Sequence, residues 1–206
     1  MKTRKVFVVI TSLFFLVLFN SCKKDGNEVV INPTTSYYFT GTIENQKEYW
    51  SAGIDNFQLY HGWGATNVNS GDTSYYWMLG IDQWPVPENN KGLIINLPVT
   101  YNIGDCTSEE FRLTFREKTY ELKGIFSDSG IKIDYYEHGE VYSTEFGPQS
   151  GSYVNCILVS ETVIYGVPDV VNTTWTFGCK LYKSDGTYYK EIKQAEMKTS
   201  VYRIDI

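Results

Sequence analysis

Few side chains in this 206-residue chain have a type and spacing that would do chemistry. Two carboxylates set across a cleft would hydrolyse a glycosidic bond, and Glu109/Glu110, Glu137/Glu140 and Glu145 are the positions that could supply them. Spacing along a chain does not fix that separation, and acidic residues on hairpins ordinarily form the solvated face. No Gly-x-Ser-x-Gly or His-Glu-x-x-His motif offers another reaction, so no enzymatic activity is expected. His61 and His138 lie far apart and no Asp-x-Asp-x-Asp-Gly loop is present, so neither a metal nor another cofactor is expected. Recognition chemistry is better represented. In Asp82-Gln83-Trp84-Pro85-Val86-Pro87, two prolines stiffen a loop that can hold Trp84 outward to stack a sugar ring, with Asp82 and Gln83 as polar neighbours. Tyr60-His61-Gly62-Trp63-Gly64 is a second candidate, because glycines on both sides of Trp63 let a ligand approach. Against both stands the ordinary fate of tryptophan, which is to fill a core.

The elements that must position these residues begin with an export address. Lys2, Arg4 and Lys5 precede an apolar run from Val6 to Phe19, too short to span a bilayer and followed by small polar residues and Cys22. Leu18-Phe19-Asn20-Ser21-Cys22 resembles a bacterial lipoprotein box, and Ser-Cys-Lys-Lys-Asp resembles the relaxed form seen in lipoproteins of Bacteroidota. That resemblance implies cleavage after residue 21, acylation of the Cys22 thiol and anchoring in the outer membrane. Each buried methylene contributes about 0.8 kcal/mol, so two or three acyl chains hold stably where one does not. An acidic run after the cysteine marks some surface-exposed relatives; here Lys23 and Lys24 precede a lone Asp25, which leaves the periplasmic and cell-surface sides both open. No other apolar run approaches the length of a membrane-spanning helix.

Loss of residues 1–21 leaves 185 residues, enough for one domain with one core. The net charge of −6 becomes −9 once Lys2, Arg4 and Lys5 are gone, and an acidic body of this kind disfavours nucleic acid, which requires a basic face. Residues 22–35 read as a flexible tether, in which Val29-Val30-Ile31 could dock as an edge strand. With Cys22 acylated, three cysteines remain. Cys179 alternates with Trp175, Phe177 and Leu181 on an apolar face and Cys156 sits in another strand; they are either a bridged pair or two buried thiols. Cys106 lies in a turn-like stretch without a neighbouring base.

From Ser36 onward the pattern has period two. Strands are expected at 37–43, 49–52, 57–61, 75–81, 93–97, 111–116, 120–126, 131–136, 141–146, 153–159, 174–182, 188–192 and 197–204. Turn signals such as Glu44-Asn45-Gln46-Lys47, His138-Gly139 and Ser184-Asp185-Gly186 separate them. The only helix expected is one turn in 105–110, opened by Ser108. Abundant tyrosine, phenylalanine and tryptophan suit half-buried pleated surfaces. The fold class that follows is all-β: a single antiparallel β-sandwich, jelly-roll-like or related, over residues 36–206.

Phe39-Thr40-Gly41-Thr42-Ile43 followed by Tyr49-Trp50-Ser51-Ala52 resembles the opening hairpin of uncharacterised Bacteroidota lipoprotein families with a β-sandwich body, and 174–192 is similar to their closing strands. The resemblance implies no activity and no site residues. The expectation is therefore a lipid-anchored, extracytoplasmic, non-enzymatic binding or accessory protein. Its partners would be the membrane, through acylated Cys22, and either a glycan or another surface protein. A carbohydrate-binding module and a protein-interaction or inhibitor lipoprotein are the two specific forms.

Overall fold

The structure is a computed structural model that describes residues 36–67, 73–83, 90–124, 129–164 and 167–203. The export segment, Cys22, the tether with its Val29-Val30-Ile31 patch and Trp84 lie outside the described residues.

Among the described residues one antiparallel sheet carries the fold, in the order β2 (Gln46–Ser51), β1 (Tyr38–Ile43), β11 (Tyr188–Tyr202), β10 (Val167–Tyr182), β8 (Glu140–Ser143), β7 (Lys132–Glu137), β5 (Lys91–Val99), β4 (Thr73–Gln83) and β3 (Phe57–Asn67), with β9 (Tyr153–Ile164) on β10 and β6 (Lys118–Tyr120) on β9. The first hairpin joins β1 (Tyr38–Ile43) to β2 (Gln46–Ser51) through Glu44 and Asn45, whose φ of 48° and 66° form the two-residue turn that matches strand twist. β3 (Phe57–Asn67), β4 (Thr73–Gln83) and β5 (Lys91–Val99) form a meander. β7 (Lys132–Glu137) and β8 (Glu140–Ser143) turn at His138-Gly139, with φ of 54° and 76°. β6 (Lys118–Tyr120) is short, whereas β9 (Tyr153–Ile164), β10 (Val167–Tyr182) and β11 (Tyr188–Tyr202) are long.

β10 is the hub. It pairs with β11 from Val170 to Tyr182, while its other edge takes β9 as far as Gly178 and then β8 at Tyr182. Val171, Thr173, Trp175, Phe177, Cys179 and Leu181 alternate inward and are buried. Beyond the β8 junction the sheet folds over itself. Inward side chains of β1, β2, β10 and β11 join those of β3, β4, β5 and β7 in a single cluster. Trp50 of β2 stacks 5.1 Å from Phe57 of β3 and lies 6.3 Å from Tyr135 of β7. The expected all-β antiparallel sandwich is thus made from one continuous sheet. Each large side chain sealed inside it, such as Trp77, Trp175 and Phe177, contributes about 1.5–3 kcal/mol.

Four expected elements are corrected. The strand expected at 120–126 is absent over its described part, since β6 ends at Tyr120 and residues 121–124 carry only an isolated bridge from Leu122 to Ile131. The strand expected at 141–146 stops at Ser143, where Thr144–Phe146 turn as a 3-10 helix. Residues 111–116 are not a strand: α1 (Ser108–Thr114) occupies most of that stretch, and its cap is Thr107 rather than Ser108. Thr107 and Glu110 form a reciprocal capping box, and Phe111 and Phe115, four apart, pack at 5.2 Å beside Trp77. Helical spacing of those two aromatics prevails over the β-propensity of the stretch. The strands expected at 188–192 and 197–204 are one strand, β11. The polar Lys193-Gln194 pair is a bulge, with Gln194 at φ 48° and the β10 register shifting between Phe177 and Cys179.

Candidate functional site

The outward face of β3, β4, β5, β7 and β8 is a grid fixed by register. Tyr60, Gly80, Ile94, Asp134 and Ser143 form one row across the strands; Gln58, Asp82, Gly92, Tyr136 and Val141 form another. A third row runs Gly62, Met78, Asn96 and Lys132, and Gly64, Tyr76 and Pro98 follow. Three tyrosines therefore stand on one surface, interleaved with glycines. Tyr76 covers Gly64 so closely that a Cβ there would sit 2.5 Å from the tyrosine Cζ. The Tyr60 hydroxyl reaches the Met78 sulfur at 3.7 Å. Isolated strand glycines are the usual mark of such close approach.

These groups sense one another. Burial, then the nearby Asp82 and Tyr76, raises the Tyr60 phenol above its ordinary range. Burial followed by Asp134, Tyr60 and Asp82 does the same to Tyr136. Burial also raises the carboxyls of Asp82 and Asp134, with Lys132 opposing the effect on Asp134. Asp134 and Asn96 are each 5% exposed; Asn96 Nδ2 donates to Asp134 Oδ2 at 2.9 Å, and Lys132 lies 3.2 Å from the same oxygen. Among the described residues Asp134 Oδ1 has no partner in hydrogen-bond geometry, though the Ser143 side chain across on β8 helps to lower the carboxyl. Alongside opens a cleft of about 260 Å³ walled by Tyr76, Asn96, Pro98, Lys123, Lys132 and Glu145. Ring faces beside buried amide and carboxylate groups suit a ligand with both apolar faces and hydroxyls.

Of the residues singled out from sequence, the structure brings Tyr60 and Asp82 together on this face. Gln83 has the opposite parity. It donates to Asp55 O at 3.2 Å and accepts from Lys91 N at 2.9 Å, tying the start of β3 to β5, which makes it a structural residue. Trp63 also has the inward parity, opposite Trp77, and packs partly buried against the core rather than on the tyrosine face. Tyr76, Tyr136, Asn96 and Asp134 were missed. Gly62, Gly64, Gly80 and Gly92 were the available signal, because they repeat on one parity across three strands.

Cys156 and Cys179 are free and buried, not bridged. Cys156 faces Trp175 and Cys179 faces Ile192, so along β10 they are offset by about 13 Å, far beyond the ~7 Å Cα limit of a disulfide. Burial pushes the Cys156 thiol up to about 12 and also raises Cys179 and Cys106, which makes all three poor nucleophiles.

The acidic residues are engaged elsewhere. Buried Glu137 accepts from Tyr135 at 3.0 Å, from Tyr189 at 2.6 Å and from Lys190. Burial would raise its carboxyl, but those donors hold it below the ordinary value. Glu140 pairs with Tyr142 and Lys183, Glu145 with Lys123 and Lys132, and Glu110 caps α1. Among the described residues, no three His, Cys, Asp or Glu side chains gather to hold a metal.

The chain matches no known protein family, no curated protein and no solved structure.

Proposed function

We propose that this chain is a lipid-anchored, extracytoplasmic binding protein without catalytic activity, and that its ligand is a carbohydrate seated on the Tyr60–Tyr76–Tyr136 face. The observation that carries this reading is the grid itself. Three phenol rings share one face with Asp82, Asn96 and Asp134, so C–H faces of a sugar meet aromatic rings while its hydroxyls meet buried polar groups. Glu137, Glu140 and Glu145 are each paired with lysine, which ties those three carboxylates into the fold.

The anchor is read from the export segment and Cys22. Ser36 and Tyr37, the first described residues, line a cleft with Leu158, Asn172 and Thr174 on the outer face of β9 and β10. That face belongs to the half of the sandwich opposite the tyrosines. The protein-interaction reading has its own support in β9, where Tyr153, Ile157 and Leu158 are 40–49% exposed along a strand that β6 covers over only three residues.

The test is retention on an array of insoluble and soluble glycans by the full chain and by Tyr76→Ala, Tyr136→Ala and Trp84→Ala. Binding that Tyr76→Ala and Tyr136→Ala each weaken by about fivefold or more supports the reading; no retention of any glycan, with a stable partner captured through β9, replaces it. For the anchor, Cys22→Ser is expected to release the protein to the soluble fraction and to stop labelled fatty acid incorporation.

A further inference from the structure

A second and larger cleft, of about 670 Å³, lies between α1 and the ends of β5 and β6. Tyr101, Leu113, Thr114, Tyr120 and Ile131 line it. Pro98 and Gly130 line both this cleft and the smaller one beside Tyr76, so the two share a wall. Tyr76 in turn belongs to the tyrosine grid. The three zones are contiguous, and along β4 the stretch from Asp82 to Tyr76 alone measures about 20 Å.

We infer that the ligand is a linear, uncharged oligosaccharide, lying along β4 and β5 from the tyrosine face through the Lys132–Glu145 cleft into the α1 cleft. This rests on the carbohydrate reading above. The α1 cleft presents fixed aromatic rings of its own. Tyr101 accepts from Trp77 Nε1 at 3.2 Å and lies 2.6 Å from Thr114 Oγ1; Tyr120 donates to Arg116 O at 3.1 Å and packs 5.3 Å from Trp175. Rings already immobilised lose little freedom when a ligand arrives. Charge argues against a polyanion. Lys123 and Lys132 are 3.2 and 3.3 Å from Glu145, Lys132 also meets Asp134, and Lys118 stands in the α1 cleft with Glu110 and Glu121. The lysines on the track have acidic neighbours, and the body carries a net negative charge.

The experiment is calorimetric titration of the full chain, in a detergent without a sugar headgroup, with cello-, xylo- and malto-oligosaccharides of two to six residues and with a polygalacturonate-derived hexamer. In the neutral series that binds, Kd is expected to fall about tenfold or more from dimer to hexamer, each further ring adding contacts. The anionic hexamer is expected to bind more weakly than the neutral one. Leu113, 49% exposed on the rim of the α1 cleft, gives the blocking variant Leu113→Arg, expected to bring the hexamer back to within about threefold of the dimer. Ile54→Ser, in the exposed β2–β3 turn, is the surface control. Kd independent of length, equal binding of the anionic hexamer, or no effect of Leu113→Arg overturns the inference while leaving the carbohydrate reading standing. Binding of no saccharide at any length overturns that reading itself.

Discussion

Gly64→Ala separates the tyrosine face from the fold beneath it. A Cβ at Gly64 would lie 2.5 Å from Tyr76 Cζ and from its hydroxyl oxygen, so the ring must retreat by about 1 Å to reach ordinary contact. The clash is with the far end of a side chain, which can yield, and replacing a strand glycine itself stabilises by about 0.5–1 kcal/mol. Net stability should therefore change by no more than about 1 kcal/mol, or under about 4 °C in Tm for a domain of this size. Binding should respond more. A displaced ring forfeits about 1 kcal/mol of aromatic contact, which weakens glycan affinity about fivefold. Thermal melts and calorimetry, read together, check both numbers. Tyr76→Ala should weaken binding by a similar amount, and Gly64→Ala added to it should weaken it no further, because both act through one ring. Gly80→Ala is the contrast on the same face: its Cβ would meet the Leu93 carbonyl oxygen at 2.1 Å, and backbone cannot yield, so this variant should lose several kcal/mol of stability. Additive losses in the Gly64/Tyr76 pair, or undiminished affinity in Gly64→Ala, would refute the reasoning.

Other expectations follow from the buried polar groups and the cap. Glu137→Ala removes the acceptor for Tyr135, Tyr189 and Lys190 and should cost about 3 kcal/mol by denaturant unfolding. His61 Nδ1 is buried without a partner among the described residues, its ring lies 4.0 Å from that of Tyr202, and burial lowers its pKa from the ordinary 6.5. The folded protein then resists the proton that the unfolded chain takes up as pH falls through 6.5, so stability falls toward acid, and His61→Phe should flatten the drop in Tm between pH 7 and 5. Thr107→Ala opens the capping box of α1 and should cost about 1 kcal/mol, read as a lower denaturant midpoint.

The sandwich was legible because its cues are local. Period-two aromatics mark strands such as β10, and the Glu44-Asn45 and His138-Gly139 pairs supply left-handed turn residues at the hairpins. Where a local cue had two readings, the structure chose. Thr107-Ser108-Glu109-Glu110 carried a capping box, and the Phe111/Phe115 spacing was helical, yet the same aromatics also fit a strand. Lys193-Gln194 had the polarity of a turn and became a bulge, because β1 and β10 pair with β11 on both sides of it. The candidate site was only half legible. Tyr60 and Asp82 could be named from their own neighbourhoods, but Tyr76, Asn96, Asp134 and Tyr136 come together through strand register across β4, β5 and β7, which no single stretch encodes. Trp63 and Gln83 stand on the opposite parity from Tyr60 and Asp82, and one residue of parity decides which face of the sheet a side chain joins.

The proposed seat of the saccharide is the Tyr60–Tyr76–Tyr136 face. Amide hydrogen exchange of the full chain, with and without a neutral hexasaccharide, tests it most directly. The prediction is added protection confined to β3, β4, β5 and β7 and to the segment beside α1. Protection that gathers on β9, or no change anywhere, would contradict it.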